Sequence, residues 1–169
     1  MKKVFCILLA IVIGIGGYVP WVYSIVKGIQ FDANCGDYLK LAADANSIDI
    51  AEKHLSTAIK YLEENDMTSG YTKIINYYPK NDFGLWYENL KTAQTQLQET
   101  QSREYTELEE SNVLMKLRET LLDGDGYLTH PEGVSMKHNY TLMFWLNMLL
   151  WLPCLVAVII LIWLAMDDF

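Results

Sequence analysis

Basic residues are few in this chain and nowhere cluster. Against 21 Asp and Glu there are 13 Lys and Arg, which leaves a formal net charge of −8. That excludes nucleic acid as a partner, because phosphate backbones are bound by grouped Lys and Arg. It also excludes a docking face for anionic lipid. Cysteine is equally sparse. Of three, Cys6 and Cys154 lie inside long apolar runs and Cys35 stands alone in the polar part, so no internal disulfide can form there. There is no CxxC and no Cys/His spacing suited to zinc. Histidine is paired with no serine, cysteine or carboxylate at a recognisable catalytic spacing, and no glycine loop follows a strand to cradle phosphate. An enzyme is not expected.

Charge is also missing from two long stretches, and these organise the chain. Residues 142–166, LMFWLNMLLWLPCLVAVIILIWLAM, carry no ionisable side chain apart from a thiol. As a helix they would extend roughly 37 Å, more than a hydrocarbon core of about 30 Å requires. Residues 4–26, VFCILLAIVIGIGGYVPWVYSIV, form the second such stretch, behind Lys2 and Lys3. The run exceeds the 7–15 residues of an ordinary signal-peptide core and no A-x-A cleavage pattern follows it, so it reads as an uncleaved anchor. Two transmembrane helices are expected. Ala10, Gly14 and Gly17 form a small-residue face in the first, where another helix can approach closely. Asn147 in the second is expected to hydrogen-bond across a helix contact. Tyr18, Trp21 and Tyr23 suit an interfacial aromatic belt. Lys2 and Lys3 place both termini on the cytoplasmic side of the cell membrane, with residues 30–140 periplasmic or extracellular.

The segment 30–140 reads as one α-helical domain. A short helix is expected over 35–46, with Tyr38, Leu39, Ala42 and Ala45 apolar. Ser47 is suited to cap a second helix, with Asp49 in its first turn facing the helix dipole. In that helix, over 48–64, Ala51, Leu55, Ala58, Ile59 and Leu62 recur at steps of four and three. The two make an antiparallel hairpin that resembles a single tetratricopeptide-like unit, without a second copy of the pattern. Residues 65–80 form a connection rich in tyrosine (Tyr71, Tyr77, Tyr78), whose phenols belong at the rim of the bundle. Asn81 or Asp82 then caps a helical region over 83–122. Trp86, Leu90, Ala93 and Leu97 form a seam that fades between 100 and 112 and resumes at Leu114, Leu117, Leu121 and Leu122. A single helix of this length would reach roughly 60 Å, which one hairpin barely matches. A break near Gln101 or Ser111 resolves this, as does packing against a second copy of the chain, and the second copy is the expectation preferred.

One motif carries possible chemistry. Asp123-Gly124-Asp125-Gly126-Tyr127-Leu128-Thr129-His130-Pro131-Glu132 resembles the later ten positions of an EF-hand calcium loop. The resemblance implies Ca²⁺ ligands at Asp123, Asp125, the Tyr127 carbonyl, Thr129 and Glu132, with Gly126 at the turn. The first two positions fall on Leu121 and Leu122, so the loop at 121–132 is degenerate, and no second loop accompanies it. The competing reading is a Gly/Asp turn that ends a helix. The expected function is thus a two-pass, non-enzymatic interaction, assembly or scaffold subunit without a cofactor. Its partners are the lipid bilayer and a second copy or another membrane protein; the alternative is a calcium-responsive membrane-anchored sensor. A conduit lined by the spans is disfavoured, because neither carries a group to line a hydrophilic path.

Overall fold

The computed structural model describes Leu8, Ile11 and residues 18–72, 78–134 and 140–167. The described chain is mostly helical, and among the described residues strand pairing is confined to two isolated β-bridges. It divides into two units, Met1–Lys27 together with Asn139–Phe169, and Gly28–His138.

In the first unit α1, Val19–Phe31, begins and continues into the second unit; α6, Tyr140–Asp167, holds Pro153 in its interior. Side chains of α6 are described without gaps only over 151–163. Among the described residues no helix is long and apolar enough to cross a membrane. The two expected spans are therefore not supported at this level, and the fold class stands as all-α. Ala10, Gly14 and Gly17 lie outside the described residues, and Asn147 belongs to α6 with its side chain outside them.

The second unit is a helical bundle. From α1 the chain passes through a π-helical turn, Asp32–Gly36, into α2, Asp37–Ala43, without leaving the helical region. The turn falls among the core residues. Phe31, Cys35, Leu39 and Ala42 are all buried. Two successive steps of four would carry Leu39 about 80° away from Phe31 on a regular α-helix. A turn widened by one residue keeps them on one side. Gly36 sits where the leucine of a later hairpin comes near, a Cβ there lying 3.8 Å from Leu128 Cδ2.

Ser47 caps α3, Ile48–Glu64, by accepting from the Ile50 amide, while Glu110 of a later helix accepts the Ile48 amide at 3.2 Å. Ala51, Leu55, Ala58, Ile59 and Leu62 are all buried, as their spacing requires. α3 stops in a Schellman turn. Asp66 takes φ 53°, the Met67 amide reaches back to the Leu62 carbonyl at 2.7 Å, and Met67 is buried beside it. The connection is pinned where Thr72 pairs with Asn81 and the Phe83 amide donates to the Gly70 carbonyl at 2.7 Å. Tyr71 and Tyr78 are exposed, and Tyr77 lies outside the described residues.

Asp82 caps α4, Phe83–Gln101, through the Gly84 and Leu85 amides. A second helix of this region, α5, spans Glu107–Leu121 and opens with a capping box between Thr106 and Glu109. Residues 83–122 are thus two helices with a break at 102–106. The length mismatch that favoured a second copy of the chain is removed by this break, and α4 and α5 fold back on one another and on α3. α3 touches α2, α4, α5 and the π turn.

The break depends on its cap. Thr106→Ala leaves the amide of Glu109 without its partner and should cost about 1 kcal/mol. The Tm of the domain then falls by roughly 4–8 °C in a thermal melt followed by tryptophan fluorescence.

Candidate functional site

A cleft of about 380 Å³ opens in the bundle unit between the start of α4 and the segment that follows α5. One wall is the turn Pro79–Asn81 with the first two turns of α4, bringing Lys80, Asp82, Trp86 and Asn89. The other is the extended run that carries His130 and Glu132. Local chemistry builds each wall. Pro79 opens the short 3-10 turn, Asn81 is buried beneath it, and the Asp82 carboxylate is already committed to the α4 amides. A long-range hydrogen bond joins the walls. The Trp86 indole N–H donates to the Thr129 carbonyl at 2.7 Å, across 43 residues of sequence. Phe83 meets Trp86 edge-on at 5.2 Å, and Phe31 meets His130 edge-on at 5.9 Å, so the rings that shape the cleft rest on the core. His130 Nδ1 lies 3.1 Å from the Pro131 carbonyl, a hydrogen bond that requires the proton on Nδ1. The lining offers an indole and an exposed leucine, Leu85, with charged groups of both signs around them. Such a lining can bind and orient; it contains no serine or cysteine nucleophile.

Four of the five residues expected to hold calcium, Asp123, Asp125, Tyr127 and Thr129, lie in a tight hairpin. Leu122 and Leu128 pair as an antiparallel bridge, and Gly126 takes φ +83° at the bend. The Asp123 carboxylate accepts the Asp125 amide at 3.0 Å and the Tyr127 amide at 2.8 Å. The Tyr127 carbonyl accepts the Asp123 amide at 2.8 Å, and the Thr129 amide donates to the Leu121 carbonyl. These oxygens serve the turn, the role Asp and Gly take in tight loops. Glu132 stands apart from the bend, at the mouth of the cleft. Among the described residues no group of three or more His, Cys, Asp or Glu side chains is arranged to hold a metal ion.

Ionisable groups elsewhere in the unit are displaced, Cys35, Tyr87 and Glu63 among them. Burial, with the neighbouring Asp32 carboxylate, pushes the Cys35 thiol up to about 12. A buried neutral thiol is a core group, and its burial leaves no surface for a bridge between molecules. Tyr87 donates its phenol to Glu63 at 2.6 Å, and Lys91 approaches the same carboxylate at 3.5 Å. Burial first, then that carboxylate, pushes the Tyr87 phenol up to about 12. The Tyr87 hydrogen bond correspondingly holds the Glu63 carboxyl below its usual range. This contact ties the end of α3 to α4.

The sequence singles out Thr129 and Glu132, for a different reason, and gives no sign of the Trp86–Thr129 bond. Pairs of this kind lie 43 or more residues apart, beyond any local periodicity. The one local hint is that His130 sits among carboxylates.

Asp123→Ala should open the hairpin and lower stability by about 0.5–1 kcal/mol. Adding calcium to the unaltered chain should leave the Tm where it was; a rise of several degrees would restore the EF-hand reading. The folded Tyr87 phenol binds its proton more tightly than the unfolded one. Its contribution to stability is therefore complete below pH 10 and lost as the pH climbs from 10 toward 12. Tyr87→Phe should flatten that part of the Tm–pH curve. Comparison with protein-family models, curated proteins and solved structures finds no match to this chain.

Proposed function

We propose that this chain is a two-pass membrane protein whose bundle, 30–140, serves outside the cytoplasm as a non-enzymatic interaction, assembly or scaffold subunit. The observation that carries the reading is the character of α6. Trp151, Leu152, Leu155, Val156, Ile159, Ile160, Ile162 and Trp163 are all exposed along it. These side chains cover about half of the circumference, and Cys154, Ala157, Val158 and Leu161 on the other half are apolar and half-buried. A helix apolar all round is not stable against water, and lipid is the solvent that suits its exposed half. Trp145 and Trp163 stand 18 residues apart, about 27 Å along a helix, close to the separation of two bilayer interfaces. The uncharged run 142–166 and its counterpart 4–26 support the same reading from the sequence. For the bundle, an acidic surface and a cleft without a nucleophile favour binding over catalysis.

The test is extraction and topology. Alkaline carbonate should leave the chain in the vesicle pellet, and protease should cut the bundle only from the extracytoplasmic face. Release by carbonate would overturn the membrane reading, and cleavage from the cytoplasmic side alone would overturn the orientation.

A further inference from the structure

α5 has apolar residues on two sides. Leu117 and Leu121 are buried against the bundle, with Val113 and Leu114 half-buried beside them. At about 100° per residue, Leu108 and Met115 project from the opposite side, seven residues apart and so in line with one another. They are 70% and 57% exposed. Ser111 and Asn112 lie between them and are exposed as well, so a second helix could approach closely there.

The charges along α5 say what covers this line. Its first turn holds Glu107 and Glu109 on the flanks of this line, Glu110 being turned inward to the Ile48 amide, and its second half holds Lys116 and Arg118, with Glu119 as the exception. A uniformly basic partner would suit only the first half and a uniformly acidic one only the second. An antiparallel copy of α5 suits both. About a two-fold axis near Asn112, Leu108 meets the partner's Met115, Glu107 lies on the side of the partner's Arg118, and Glu109 on that of the partner's Lys116. The opposed helix dipoles add to this. Such a face is self-complementary, as a two-fold interface must be. Arg118 already pairs with Asp44 at 2.8 Å and Glu109 with Arg103 at 3.2 Å, but all four are more than two-fifths exposed and can be shared.

We propose that the outer face of α5, centred on Leu108 and Met115, docks antiparallel on the same face of a second copy of this chain. This deepens the interaction reading above by naming its surface and its partner. α5 is about 22 Å long, so the contact is smaller than a standard interface. The dimer is weak in dilute solution and gains from confinement of both copies to one membrane.

The test uses the full chain in vesicles, with Cys6→Ser and Cys154→Ser as background. Asn112→Cys places a thiol beside the two-fold axis, and Thr57→Cys places one on the exposed side of α3 as control. Under copper-phenanthroline oxidation Asn112→Cys should give a covalent dimer on a non-reducing gel and Thr57→Cys should not. Adding Leu108→Glu should cut the Asn112→Cys dimer about tenfold, equivalent to 1.4 kcal/mol. Leu108 points to solvent, so circular dichroism should be unchanged. Equal cross-linking at the two positions overturns the proposal, as does cross-linking that survives Leu108→Glu. So does an Asn112→Cys thiol that stays monomeric yet is shielded from a water-soluble maleimide, which would assign the face to lipid or another protein. None of these outcomes alters carbonate retention, so the membrane reading stands or falls separately.

Discussion

The apolar line of α3 is the constraint on which the bundle depends. Ala51, Leu55, Ala58, Ile59 and Leu62 are buried together, and every other helix of the unit reaches its core through contact with α3 or with a neighbour of α3. Two of the five are alanine, which lets adjacent backbones come close. The polar ends of the helix are tied with equal care. Glu110 of α5 accepts the Ile48 amide at one end, and at the other Glu63 takes the phenol of Tyr87 from α4. Apolar burial supplies the main driving force, and these directional contacts select which helix lies where.

The cleft exists because the turn before α4 and the segment after α5 are both tied in place. The bridge between 70–72 and 81–83 anchors one wall and the Leu122–Leu128 bridge anchors the other. The Trp86–Thr129 hydrogen bond then closes the floor between them. The carboxylates that suggest a metal loop are what make the second wall stiff. Asp123 folds its own loop by accepting two amides, and the same acid density that invites a calcium reading serves as turn chemistry.

What was legible in the sequence is what repeats over short distances. The bounds of α3, its Ser47 cap, a cap at Asn81 or Asp82 (it is Asp82) and the seam of Trp86, Leu90, Ala93 and Leu97 all follow from spacing and capping preferences. The interruption after Gln101 was legible as one of two answers. Its signature, Thr106 with Glu109 three places on, stands in the sequence, but a polar stretch with few apolar landmarks conceals which answer holds. The short helix expected over 35–46 is the tail of a longer helical run that starts at Val19, because nothing local marks the π turn. The site was scarcely legible. Trp86 and Thr129 share no pattern, and the cleft arises only once distant segments are packed.

The widened turn at Asp32–Gly36 has a consequence for how this chain can change length. With one residue taken from it, Phe31, Cys35, Leu39 and Ala42 would follow one another at steps of three, four and three, the natural cadence of an ordinary α-helix. The loss of a residue inside a helix normally rotates everything beyond it out of register. Here it would return the backbone to a regular α-helix and leave those side chains within about 80° of one another, so that a chain one residue shorter at this point keeps the same interior.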